Sequence, residues 1–114
     1  MAVTKQNIPR GKMSAEERAF RSALKKLIAS RCMLRGTIVR RERVCGRPNC
    51  RCARGEKHPE RLLVVSEDGN RRQLHIPKEW QETVEQWVSE YHGVRELLEQ
   101  LSRLHWEKVT RREL

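Results

Sequence analysis

The chain has 114 residues, room for one ordinary domain at the usual 100 to 200 or so residues each. Its 37% hydrophobic against 35% charged content leaves a thin core, which a bound metal or self-association would have to supplement. The formal net charge of +10 is uneven, with residues 1–31 and 32–77 each at +6 and residues 78–114 at −2, an asymmetry that suits a polyanionic partner such as nucleic acid.

No apolar run approaches the ~18 residues a membrane helix needs, and Met1–Arg10 lacks the apolar segment of a signal peptide. The expectation is a cytoplasmic protein with no membrane partner, whose clustered thiols serve metal or redox chemistry rather than disulfides.

In chain order, residues 1–13 mix Lys, Arg, Pro and Gly without periodicity and read as a mobile basic arm. Residues 14–114 read as a single small zinc-binding domain ending in a long helix. Ser14 caps the first helix, with Glu17 three positions on in a capping-box pattern. Ala19, Phe20, Ala23, Leu24, Leu27 and Ile28 then recur at helical spacing, and the helix is expected to end near Arg31.

After Gly36, the β-branched run Thr37-Ile38-Val39 predicts a strand that leads through Arg40, Arg41 and Arg43 toward the cysteines. Leu62–Ser66 and Arg71–Ile76 predict two more, joined by a turn built on Asp68-Gly69. Pro77 suits the first turn of a final helix. Along that helix Trp80, Val84, Trp87, Tyr91, Val94, Leu98, Leu101 and His105 alternate four and three apart, a heptad seam. Trp80 and Trp87 read as core, Trp106 as an anchor for a partner, and the many glutamates, Glu85 among them, as a solvated face. The fold class expected is α+β: an N-terminal helix, a three-stranded antiparallel sheet with a zinc loop, and a long C-terminal amphipathic helix.

Chemistry concentrates between Val44 and His58, where three cysteines fall within eight residues and a histidine follows. Cys45, Cys50, Cys52 and His58 make a Cys3His set of the kind that closes a tetrahedral zinc site. Gly46 and Pro48 suit a tight turn, and Gly55 suits the reversal that returns His58 to the metal. Cys32 is a rival for the fourth position. A redox or nucleophilic thiol, with Arg47, Arg51 and Arg54 stabilising thiolate, is a competing reading, as are three cysteines that carry no metal.

The runs Arg35-Gly36-Thr37-Ile38-Val39, Cys45-Gly46-Arg47-Pro48-Asn49-Cys50-Arg51-Cys52-Ala53-Arg54-Gly55-Glu56-Lys57-His58 and Ile76-Pro77-Lys78-Glu79 resemble a bacterial family of short proteins of unknown function. Its members carry a Cys-Gly-x-Pro-x-Cys-x-Cys loop and are often encoded near transposases. The resemblance spans roughly Leu34 to Leu104 and implies a strand, the loop, a hairpin and a long helix. It brings no activity with it. After His58 the chain departs from the pattern, with Pro59-Glu60-Arg61-Leu62 in place of Gly-Pro and aromatics.

Two function classes follow. In the first, a nucleic-acid-binding accessory protein, zinc fixes a loop that presents Arg47, Arg51, Arg54 and Lys57, extended by Arg40, Arg41 and Arg43, to phosphates of DNA in preference to RNA. In the second, an adaptor or oligomerisation module, the C-terminal helix makes a homodimer or takes a partner helix. An enzyme is the weakest reading, because no HExxH pair or P-loop is present.

Overall fold

The computed structural model describes residues 10–113, apart from the side chain of Cys52. Residues 1–9, most of the arm expected at 1–13, lie outside the described residues. Helix α1 spans Ala15–Ser30, strand β1 Thr37–Arg43, β2 His58–Glu67, β3 Asn70–His75 and helix α2 Gln81–Arg111. This is the α+β order read from the sequence. Two compact units divide the chain: one spans Cys32–His92, and the other joins the residues up to Arg31 with those from Gly93 onward. Helix α2 contributes its first part to the former and the rest to the latter.

In the Cys32–His92 unit the strands form an antiparallel sheet in the order β1-β2-β3. The β2–β3 hairpin turns at Asp68 and Gly69, whose φ values of 51° and 78° are the paired positive angles that a tight two-residue hairpin requires. Side chains alternate across the sheet, so Ile38, Leu63 and Leu74, which pair across the strands, share one face. Leu63 there packs with Ile76 and Val88 into a small core, flanked by Leu34, Ile38 and Val84. Gly36 brings its backbone against this core: a Cβ there would meet the Leu63 side chain at 2.7 Å.

Helix α2 turns its Val84 and Val88 edge toward this core, not its tryptophans. Trp80 is 63% exposed and Trp87 38%, which corrects the expectation that both are buried. The physical reason is area: two valines fill the small face offered by Ile38, Leu63 and Ile76, and the larger indoles, Trp87 on the next strip of the helix and Trp80 in the 3-10 turn before it, are left outside. Glu85, expected on a solvated face, instead sits with Arg40 at 2.9 Å and Arg61 at 3.2 Å.

In the other unit, Ser14 caps α1, its Oγ accepting the Glu17 amide at 3.1 Å. The reciprocal half of a capping box is replaced. The Glu17 carboxylate turns to Arg21, whose Nε donates at 3.0 Å, and to His105 Nε2 at 3.1 Å. Glu17 is 1% exposed, so α1 is tied to the last turns of α2 by a buried carboxylate. Arg10–Lys12 form a single 3-10 turn, and Arg10 donates to Ser22 at 3.2 Å.

Burial pushes the Glu17 carboxyl up, but the hydrogen bonds and charges of Arg21 and His105 together outweigh it and hold the group below its ordinary value of 4.5. A carboxylate with a depressed folded-state value adds stability that is present above the unfolded value and lost as pH falls through the folded one. Thermal melts are therefore expected to drop below about pH 4.5 in the native protein and to show a flatter acid limb in Glu17→Ala. At neutral pH that substitution should cost about 1–3 kcal/mol, because Arg21 and His105, each 40% exposed, retain access to water. An unchanged melting temperature would show that the buried carboxylate is not a tie.

Candidate metal centre and basic loop

Strand pairing builds the site. Strand β2 runs from His58, but β3 ends opposite Leu62 at His75 and only the Ile76 amide reaches further, donating to the Arg61 carbonyl at 2.9 Å, so His58–Glu60 pairs with β1 alone. Pro59, which has no amide hydrogen, is tolerated there because the strand has one neighbour at that point. The register sets Arg43 opposite His58. Cys45 follows Arg43 by two residues and is thereby brought to the start of β2.

The loop between the strands returns Cys50 to the same place. Pro48 and Asn49 occupy a turn closed by the Cys50 amide donating to the Arg47 carbonyl at 3.1 Å, with Pro at the position where its fixed φ is favoured. A 3-10 turn over Arg51–Arg54 follows. Gly46 and Gly55, at φ 82° and 104°, hold backbone angles that side-chain-bearing residues rarely adopt, and nothing lies within 4 Å of a Cβ built on either. Backbone conformation, not space, calls for glycine at both.

As a result the Cys45 and Cys50 sulfurs and a His58 ring nitrogen lie within 4.8 Å of one another, close enough to hold a metal ion. Among the described residues this is the one such cluster. The Cys50 sulfur is 3.0 Å from His58 Nε2. Of the four residues singled out by spacing, three converge; the fourth, Cys52, has its side chain outside the described residues. Cys32 is exposed and is not part of the cluster.

Arg43 and Arg47 line the concavity that holds the three donors. Arg47, Arg51, Arg54 and Lys57 are all exposed. The strand arginines behave differently from the loop. Arg40 and Arg41 alternate to opposite faces of β1, with Arg40 on Glu85 and Arg41 on the buried Glu60 at 2.9 Å. The Arg41 hydrogen bond holds the Glu60 carboxyl below its ordinary value against the upward push of burial, with the charges of Arg41, Arg43 and His75 in support. Two of the seven basic residues read as one patch thus carry carboxylate partners, which neither charge runs nor spacing revealed. Alternation along β1 was the available signal, since neighbours in a strand cannot share a face.

Among the described residues no helix is long and apolar enough to cross a membrane. No curated protein matches the chain, and no solved structure does. A family model matches residues 13–86, from the α1 cap through the sheet and its cysteine loop into the early turns of α2. That match covers more than half of the chain, which therefore belongs to the family described as Domain of unknown function (DUF6788).

Proposed function

We propose that this chain is a small nucleic-acid-binding accessory protein whose basic loop is held by a structural zinc ion. The convergence of Cys45, Cys50 and His58 around a loop in which Arg47, Arg51, Arg54 and Lys57 are exposed carries the reading. Two thiolates with an imidazole are a donor set that selects zinc over harder cations, and Cys52 is the fourth ligand this proposal adds. Zinc–ligand bond lengths place tetrahedral sulfurs about 3.8 Å apart, and a sulfur and a nitrogen about 3.5 Å apart. Donors already within 4.8 Å need shifts of about 1 Å to seat such an ion. Bound there, zinc supplies structure, fixing the loop so that its arginines project.

Phosphate is the chemistry those side chains suit, since guanidinium pairs bidentately with phosphate oxygens. The loop holds no Phe, Tyr or Trp on which an unpaired base might stack, which favours a grip on a duplex backbone, DNA before RNA. The resemblance to proteins encoded near transposases makes a mobile element the first setting to examine. Anisotropy titrations of matched DNA and RNA duplexes over a series of salt concentrations test the reading. Binding that is sequence-tolerant and falls steeply with salt is expected. No binding at low salt overturns it.

A second reading, a protein adaptor, has its own observation: on the later turns of α2, Leu98 is 49% exposed, Trp106 75% and Val109 57%. Indoles in such positions anchor interfaces, and a partner helix or a second copy is the proposed occupant. Leu98→Glu with Trp106→Glu is expected to abolish capture of any partner that wild type retains, with the metal content unchanged. Equal capture by the double variant would remove this reading.

A further inference from the structure

Two stripes leave large apolar side chains exposed. On α1, Arg21, Leu24, Lys25 and Ile28 line a shallow groove, and Ile28 is 59% exposed. Trp80, in the 3-10 turn Lys78–Trp80 that leads into α2, lines another with Thr83, Val84 and Trp87 of the opening turns, Val84 forming its inner edge against the core. Both stripes occupy positions i, i+3, i+4 and i+7, the spacing that keeps side chains to one side of a helix; the second begins in the 3-10 turn and continues on α2.

Their charges are opposite. The α1 band contains Arg21 and Lys25, and Lys26 adjoins it. Glu79–Glu90 carries four carboxylates and no Lys or Arg. Glu85 is occupied by Arg40 and Arg61, which leaves Glu79 and Glu82 exposed near the start of the indole band. Indole faces attract cations. Arg21 is committed to Glu17, so Lys25 is the cation free to sit over a tryptophan.

We propose that the Leu24–Ile28 band of α1 in one copy of the chain docks on the Trp80–Trp87 band at the start of α2 in a second copy, Lys25 lying over a tryptophan. The matching spacing and opposite charge are both carried by this one sequence, which is why the occupant is a second copy. The contact joins unlike surfaces: it closes reciprocally in a two-fold dimer or continues head to tail. It is independent of metal and of nucleic acid, and differs from the Leu98 and Trp106 surface.

Sedimentation equilibrium on the full chain, free of nucleic acid and at high micromolar concentration, tests it. Wild type is expected to associate, and Ile28→Glu and Trp80→Glu each to associate at least tenfold more weakly. An equimolar mixture of the two variants should recover association, because one supplies an intact α1 band and the other an intact indole band. Ile28→Ala and Trp80→Ala should repeat the pattern more mildly, which guards against a charge that unfolds the chain; circular dichroism checks that each variant is folded. A monomeric wild type, a folded single variant that associates as wild type does, or a mixture as weak as its components would each overturn the proposal. The last would assign the bands to contacts within one chain or between like surfaces.

Discussion

Protein purified without added metal is expected to carry about one zinc ion per chain, and Cys50→Ser next to none. The expectation rests on position: Cys50 closes the Arg47 turn and sets its sulfur 3.0 Å from His58 Nε2, so removing it breaks both the donor set and the contact nearest the histidine. A structural zinc site contributes on the order of 10 kcal/mol of apparent binding energy, and a site stripped of one thiolate loses enough of it to surrender the ion to a moderate chelator. Elemental analysis before and after such a chelator reads the result directly. Cys32→Ser should retain zinc, because Cys32 stands outside the cluster. Cys52→Ser should lose it, and full retention there would leave the fourth position to a group other than Cys52. Metal absent from wild type, or fully kept by Cys50→Ser, would end the zinc reading and return the thiols to redox chemistry. Chelation should disturb the loop while sparing α1, whose tie runs through Glu17 and His105 and involves none of these ligands.

The parts of this structure that were legible in the sequence are those decided locally. The α1 stripe and its Ser14 cap, the Asp68-Gly69 turn and the density of thiols between Cys45 and Cys52 each follow from a few adjacent residues. What was illegible depends on pairing at a distance. Pro59-Glu60-Arg61 shows no strand alternation, and a proline argues against a central strand; only the early end of β3 lets β2 begin at His58, and that start is what brings the histidine to the cysteines. The same holds for Glu17. Its position three residues after Ser14 suggested a capping box, and only the return of α2 past α1 supplies His105 as the competing partner. Helix α2 misled by bulk. Its heptad seam made Trp80 and Trp87 look like core, whereas the width of a three-stranded sheet, which no helical period encodes, admitted Val84 and Val88.

Replacing Arg47, Arg51 and Arg54 with Ala together is expected to weaken DNA binding by tenfold or more at low salt and to flatten its salt dependence. Each phosphate contact contributes about 0.9 to the slope of log affinity against log salt on duplex DNA. If Arg43 and the four loop cations each grip one phosphate, the slope is about −4.5, and affinity falls roughly 500-fold between 50 and 200 mM salt. The triple variant keeps two of those contacts, a slope of about −1.8 and a fall of roughly 12-fold. Arg40 and Arg41 give the contrast that makes the test specific. Their guanidiniums already have carboxylate partners in Glu85 and Glu60, so Arg40→Ala and Arg41→Ala should lower stability while leaving the slope nearly unchanged. A slope that drops equally for strand and loop variants would mean that general positive charge, not the loop, meets the DNA. A slope untouched by the triple variant would move the interface off the loop and leave the adaptor reading in its place. Chelated protein separates charge from geometry. It has the same arginines as the metal-loaded form, so weaker binding with a shallower slope after chelation would assign the effect to the metal-held loop, because only there does removing the ion change how many cations reach phosphate at once.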